Sequence, residues 1–237
     1  MTQLRTALAD HIEEFNDHIK LAHALDRRLV ESEQVDFGET TLTVRHLLTI
    51  KSGLIVHLYN IVESVMTLTI EELGKAVINT SPRQWSSSTL KEWLRFNAAI
   101  GNNGNEDTRL EVIHKAALKL LDKDPIDELK FKKPSGTWSD KLIYSFSQRL
   151  EVNFRMTPKV ARENQPLPKY GDKTPLEFLA DRRNAIAHGR RSFERGAEDL
   201  TLQDIQKLAD ATLCYMELAV DAFQDFADRK SFLTVAV

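Results

Sequence analysis

Apolar residues recur at helical spacing through most of this chain, and no long run of alternating β-branched residues marks a sheet. Leu4, Leu8, Ile12, Phe15, Ile19 and Leu25 fall on one side of a predicted first helix from Gln3 to Leu29, with charge on the other side. After a turn around Val35 to Glu39, a second long helix is predicted to open near Val44. Its main stripe is Leu47, Leu54, Leu58, Ile61, Val65 and Leu68, and further apolar residues around it place this helix at the centre of a bundle. The stretch from Val44 to Leu73 carries Lys51, His57, Glu63 and Glu71, which a bilayer-spanning helix tolerates poorly, so it reads as a buried core helix.

The pattern weakens over residues 81–171, which read as an inserted, satellite helical region within a single domain of residues 1–237. Short helices are expected to open at Thr89-Leu-Lys-Glu92 and Thr108-Arg-Leu-Glu111, both of capping-box form. Gly101 to Asn105, Lys132 to Gly136 and Gln165 to Pro168 are punctuated like loops. A tight turn with a small hairpin around Pro134 to Gly136 is one reading, and a helix from Ser139 to Leu150 is the stronger local signal.

The C-terminal third is patterned most clearly. Thr174-Pro175-Leu176-Glu177 supplies a cap, a proline at the first helical position and a carboxylate three residues after the cap. Gly189, after His188, can take the left-handed conformation that closes this helix. A last helix is predicted from Thr201 to about Arg229, antiparallel to the one before it, with Leu202, Ile205, Leu208, Tyr215, Met216, Ala219, Phe223 and Phe226 as its stripe. The fold class is therefore all-α.

Composition narrows the chemistry. The 237 residues are long enough to bury one substantial core, and the single cysteine, Cys214, can build neither a disulfide framework nor a thiolate metal site. A reducing compartment fits, and Met1 to Asp10 holds no signal-peptide pattern, so a cytoplasmic location without membrane attachment is expected. A formal net charge of −3 provides no global field for a polyanion. Any nucleic-acid contact must then be local, and Arg182, Arg183, Arg190, Arg191 and Arg195 are locally dense. By itself such a run is more simply a solvated face.

In the Pro175 to His188 helix, Leu176, Leu179, Ala180, Ile186 and Ala187 share one side, and Arg183 projects near their middle. A guanidinium in an apolar stripe needs a partner or a function. A salt bridge to a bundle carboxylate is the structural alternative, with Glu63 as the candidate. Asn184 lies one turn before His188 and can orient the imidazole or share its ligand. The helix C-terminus favours the imidazolium while nearby arginines oppose it, and a histidine that merely caps exposed carbonyls is the bland reading.

Arg183-Asn184-Ala-Ile-Ala-His188 is similar, position by position, to the arginine, polar residue, three variable residues, histidine motif of HEPN ribonucleases. Gly189-Arg-Arg-Ser-Phe-Glu194 and Leu58-Tyr-Asn-Ile-Val-Glu-Ser64 also resemble the branch of that superfamily found in prokaryotic toxin and defence modules. The resemblance implies a HEPN-like antiparallel bundle and a metal-independent endoribonuclease that uses the ribose 2′-hydroxyl to leave a 2′,3′-cyclic phosphate and a 5′-hydroxyl. His188 would move protons, Arg183 would neutralise charge on the phosphate, and Asn184 would position one or both. Two proton-transfer groups are needed and one chain has one motif histidine, so a homodimer with a composite site is expected. Arg182, Arg190 and Arg191 would hold RNA backbone phosphates.

HEPN toxins silenced by adenylylation carry a tyrosine two positions after the motif histidine, where this chain has Arg190. That silencing is not expected, and an antitoxin of another kind, a defence-system partner, or neither stays open. A non-catalytic HEPN-like module that binds a nucleotide or a partner is the competing function. No cofactor is expected. His46 and His57 are eleven residues apart with no carboxylate cluster to complete a metal set, so no metal site is assigned. Trp85, Trp93 and Trp138 could stack bases, but packing of the satellite helices is the simpler role. No P-loop, nucleophile elbow or dinucleotide fingerprint is present.

Overall fold

The computed structural model describes residues 2–31, 36–37, 40–97, 105–121, 129 and 131–234. Among them are eight α-helices: α1 (Thr2–Val30), α2 (Val44–Ile78), α3 (Ser87–Asn97), α4 (Glu106–Leu121), α5 (Asp140–Arg149), α6 (Pro158–Glu163), α7 (Pro175–Ala187) and α8 (Leu202–Asp228). Two residue pairs, β1 (Asp36–Phe37) and β2 (Thr40–Thr41), form a minimal antiparallel ribbon between α1 and α2. The protein is all-α, as its hydrophobic periodicity predicts.

α2 packs against α1, α7 and α8, and α1 also packs against α8. The α1/α2 register is antiparallel, since His11 meets Ser64 while His18 meets His57. Leu54, Ile55, Leu58, Tyr59, Ile61, Val62, Val65 and Met66 of α2 are all buried, facing Leu8, Phe15 and Ile19 of α1 or Met216, Ala219 and Phe223 of α8 in one cluster. Among the described residues, α2 alone is long and apolar enough to match a membrane span by length and composition, and its packing among three partner helices accounts for that character. Its start is set by Thr43, whose backbone N–H donates to His46 Nδ1 at 3.1 Å, so His46 serves as the returning half of a capping box.

The expected caps at Thr89 and Thr108 are displaced by one turn. Ser86 accepts the backbone N–H of Thr89 at 3.2 Å, and Asn105 accepts that of Thr108 at 2.9 Å, so both threonines lie inside the first turn. Ser and Asn three residues upstream are equally good acceptors, and the sequence rule does not choose between them. Glu92 is nearly inaccessible and receives Arg149 Nε at 3.0 Å and Arg95 Nε at 2.8 Å, tying α3 to α5. The residues around Pro134 to Gly136 form a bend and no hairpin, while α5 follows Ser139, which accepts the Leu142 N–H at 3.3 Å. Of the Gly101 to Asn105 loop and the Val35 to Glu39 turn, residues 101–104, 35 and 38–39 lie outside the described set.

Trp85, Trp93 and Trp138 are buried in the same core cluster as α2 and α8, with Trp85 and Trp93 edge to face at 6.0 Å between centroids. Their area is consumed by packing, and none is placed to stack a base. The described parts of residues 81–171 therefore share the main core. α4 joins it least: it packs on α3, contributes Ala116 and the partly buried Leu120, and exposes Leu110, Ile113, Leu118 and Leu121.

Candidate functional site at the end of helix α7

Helix α7 is specified at both ends. Thr174 Oγ1 accepts the Glu177 N–H at 3.2 Å, Glu177 Oε2 accepts the Thr174 N–H at 3.3 Å, and Pro175 occupies the first helical position. At the other end His188 is the C-cap, its backbone N–H donating to the Asn184 carbonyl at 3.0 Å. Gly189 then adopts φ 69°, and the chain folds back so that the Arg191 N–H reaches the Ala185 carbonyl at 3.0 Å. His188, Arg190 and Arg191 consequently surround one helix terminus, and the first two are exposed.

Leu176, Leu179, Ala180 and Ile186 are buried as the stripe requires, but Ala187 is exposed in the last turn. Arg183 points to α2. Its Nη2 lies 2.7 Å from Glu63 Oε2, its Nη1 donates to Asn184 Oδ1 at 3.3 Å, and its guanidinium carbon stands 5.0 Å from the Tyr59 ring centroid. Burial raises the Tyr59 phenol above its ordinary range, with the Glu63 charge adding to the shift. The ring is thus a neutral platform under the arginine. Asn184 Nδ2 donates to Thr137 Oγ1 at 3.0 Å, which fixes the amide orientation in this network.

Glu63 is shared: Lys133 Nζ is 3.9 Å from its other oxygen and also stands 5.3 Å from the Trp138 ring. The Arg183 side chain retains 27% exposure, and a guanidinium has five N–H donors, so two contacts do not exhaust it. The face that carries Arg183 is therefore braced and still open to an anion.

Arg182 is committed mainly to partners within the chain. It is buried, pairs both ends of its guanidinium with Asp199 (Nη2 to Oδ2 2.8 Å), donates to the Gly196 carbonyl at 3.0 Å and lies over the Phe178 ring. One residue of helical rotation, about 100°, separates it from Arg183 and turns it toward the 196–199 turn. It braces the fold with most of its guanidinium, although its edge still lines the depression bordered by Arg190 and Arg191. Arg191 is half-buried with Nη1 3.5 Å from Asp199, whereas Arg190 extends into solvent. Arg190 and Arg191 border an open depression of about 350 Å³ to which Lys169 and Lys173 also contribute.

A family model described as HEPN_MAE_28990-like HEPN matches residues 2–232. The chain belongs to this HEPN family. No curated protein and no solved structure matches the chain. The HEPN match extends over the middle section as well as the C-terminal third on which the sequence motif rests. Within this HEPN bundle, the structure brings Arg183 into contact with both Asn184 and Glu63, and His188 at the same helix end meets Asn184 through its backbone N–H.

Tyr59, Thr137 and Lys133 complete the network and escaped the sequence reading. Tyr59 lies four residues before Glu63 and so one turn away on the same face of α2, which is a usable signal. Thr137 and Lys133 come from a loop with no periodicity, and nothing in its composition points to them.

Proposed function

We propose that this HEPN protein is a metal-independent endoribonuclease that works as a homodimer. The observation that carries the reading is Arg183, held by Glu63 and Asn184 yet still accessible, on the same short helix end as the exposed His188. In the proposed reaction one His188 takes the proton from a ribose 2′-hydroxyl as that oxygen attacks the adjacent phosphorus. The P–O5′ bond breaks, and the leaving oxygen receives a proton from the partner protomer's copy of the same histidine. Arg183 stabilises charge on the non-bridging oxygens, and Asn184 fixes the guanidinium that does so. Arg190 and Arg191 hold the RNA backbone beside the helix end. RNA cleavage of this kind suits a toxin or an antiphage defence effector acting in the cytoplasm, held in check by an antitoxin or a defence-system partner.

The full Glu63 carboxylate on Arg183 favours one alternative, a non-catalytic module that binds a nucleotide or a partner. The two separate cleanly. Purified protein with single-stranded and structured RNA in chelator should release fragments, and His188→Ala and Arg183→Ala should each abolish release while the dimer stays folded. Equal cleavage by the variants would remove the assignment, and binding without turnover would select the module.

A further inference from the structure

We propose that Glu14, His18 and His57 form a binding site for one divalent transition-metal ion of the zinc class, stapling α1 to α2 on a face apart from Arg183. The antiparallel register of the two helices creates it. Glu14 and His18 are four residues apart and share one face of α1, and His57 of α2 lies opposite them. His18 Nδ1 and His57 Nδ1 are 3.1 Å apart, Glu14 Oε2 is 3.8 Å from His57 Nε2, and one ligand atom from each residue fits within a 4.8 Å spread.

Zinc binds imidazole nitrogen at about 2.0–2.1 Å and carboxylate oxygen at about 2.0–2.2 Å, so neighbouring ligand atoms in a tetrahedral shell lie on the order of 3.3 Å apart. The two imidazoles already have that separation. Glu14 lies against the other ring nitrogen of His57, and within the 4.8 Å spread its carboxylate closes by up to about 1.5 Å, which its exposed side chain allows. Two imidazoles with one carboxylate are the donors that borderline ions such as Zn²⁺ select, and water can occupy the fourth position.

The surroundings orient these ligands. Phe15 packs against the His57 ring at 5.7 Å between centroids, and His11 Nδ1 lies 3.8 Å from Glu14 Oε2, the oxygen that also faces His57. His57 and Glu63 are six residues apart on α2, about 120° around the helix, so the cluster faces α1 while Glu63 faces α7. The set spans two helices, His57 lying 39 residues beyond His18, so no spacing within one helix marks it. The site is independent of the ribonuclease reading and supplies no group to it.

The test uses the full chain, stripped with chelator and dialysed, titrated calorimetrically with Zn²⁺ and spectroscopically with Co²⁺. Native protein should bind about one equivalent of Zn²⁺, gain visible Co²⁺ absorption and melt at a higher temperature with the ion, because a ligand that binds only the folded state stabilises it. His18→Ala should abolish the saturable isotherm, Glu14→Gln should weaken it about tenfold or more, and the exposed His23→Ala should leave it unchanged. His18 and Glu14 are both exposed, so their variants should keep native helical circular dichroism. Absence of stoichiometric binding by the native chain, or native-like binding by folded His18→Ala, would overturn the proposal.

Discussion

Arg183 and Glu63 lie 2.7 Å apart across the α7/α2 interface, with 27% and 33% of their side chains accessible. A pair this open is worth only about 0.2–1 kcal/mol to stability. Its larger consequence is geometric, because it directs a guanidinium that also lies over Tyr59 and contacts Asn184. Glu63→Gln should therefore shift the melting temperature by a few degrees at most while lowering kcat for RNA cleavage roughly tenfold. Arg183→Ala should lower it on the order of 10²–10³-fold, and Arg183→Lys should rescue little, since an ammonium lacks the planar fork. Thermal melts and single-turnover cleavage separate the two effects.

Arg182 predicts the opposite behaviour. Removing its guanidinium leaves Asp199 and the Gly196 carbonyl without their donor, so Arg182→Ala should cost about 1.5–3 kcal/mol in denaturant unfolding. The Arg182 hydrogen bond holds the Asp199 carboxyl below its ordinary range, against the opposing effect of burial. A carboxyl with a lowered folded-state pKa contributes stability above its unfolded value, about 3.9, and loses it as pH falls through the folded value. The stability gap between native protein and Asp199→Asn should accordingly be widest near neutrality and shrink below about pH 4 in equilibrium unfolding.

Arg190 and Arg191 belong to recognition in this account. Arg190→Ala and Arg191→Ala should weaken binding to all single-stranded RNAs alike, and each should reduce the slope of log affinity against log salt by up to about 0.7. Fluorescence anisotropy across a salt series measures this. A change in sequence preference with the slope intact would contradict it.

Gly196 marks a close approach behind the site. A Cβ there would stand 2.6 Å from Ile186 Cδ1 and 2.7 Å from Ser52 Oγ, so Gly196→Ala should destabilise the fold by roughly 1–3 kcal/mol. Denaturant titration should show the loss, with Ser52→Gly relieving part of it.

What could be read from sequence follows from how local each signal is. The boxes at Thr174 and Thr201 and the left-handed Gly189 are set by residues within one turn of each other, and the α7 and α8 boundaries follow from them. The α2 stripe is long enough that its central position is evident from periodicity. Thr89 and Thr108 misled because Ser86 and Asn105 compete for the same backbone donors. Arg182 and Arg183 are adjacent and alike in composition, and only the positions of Asp199 and Glu63 distinguish the structural arginine from the accessible one. Trp85, Trp93 and Trp138 come from short, irregularly spaced segments, so their joint burial in the main core depends on contacts distant in sequence.

The central claim is that His188 and Arg183 promote attack by the ribose 2′-hydroxyl. The most direct measurement compares, in chelator, an oligoribonucleotide with the same oligonucleotide carrying 2′-deoxyribose throughout, with fragment ends determined by mass spectrometry. The account predicts 2′,3′-cyclic phosphate and 5′-hydroxyl ends from the RNA and no cleavage of the deoxy substrate. Equal cutting of both, or an RNA left intact by folded dimer, would contradict it.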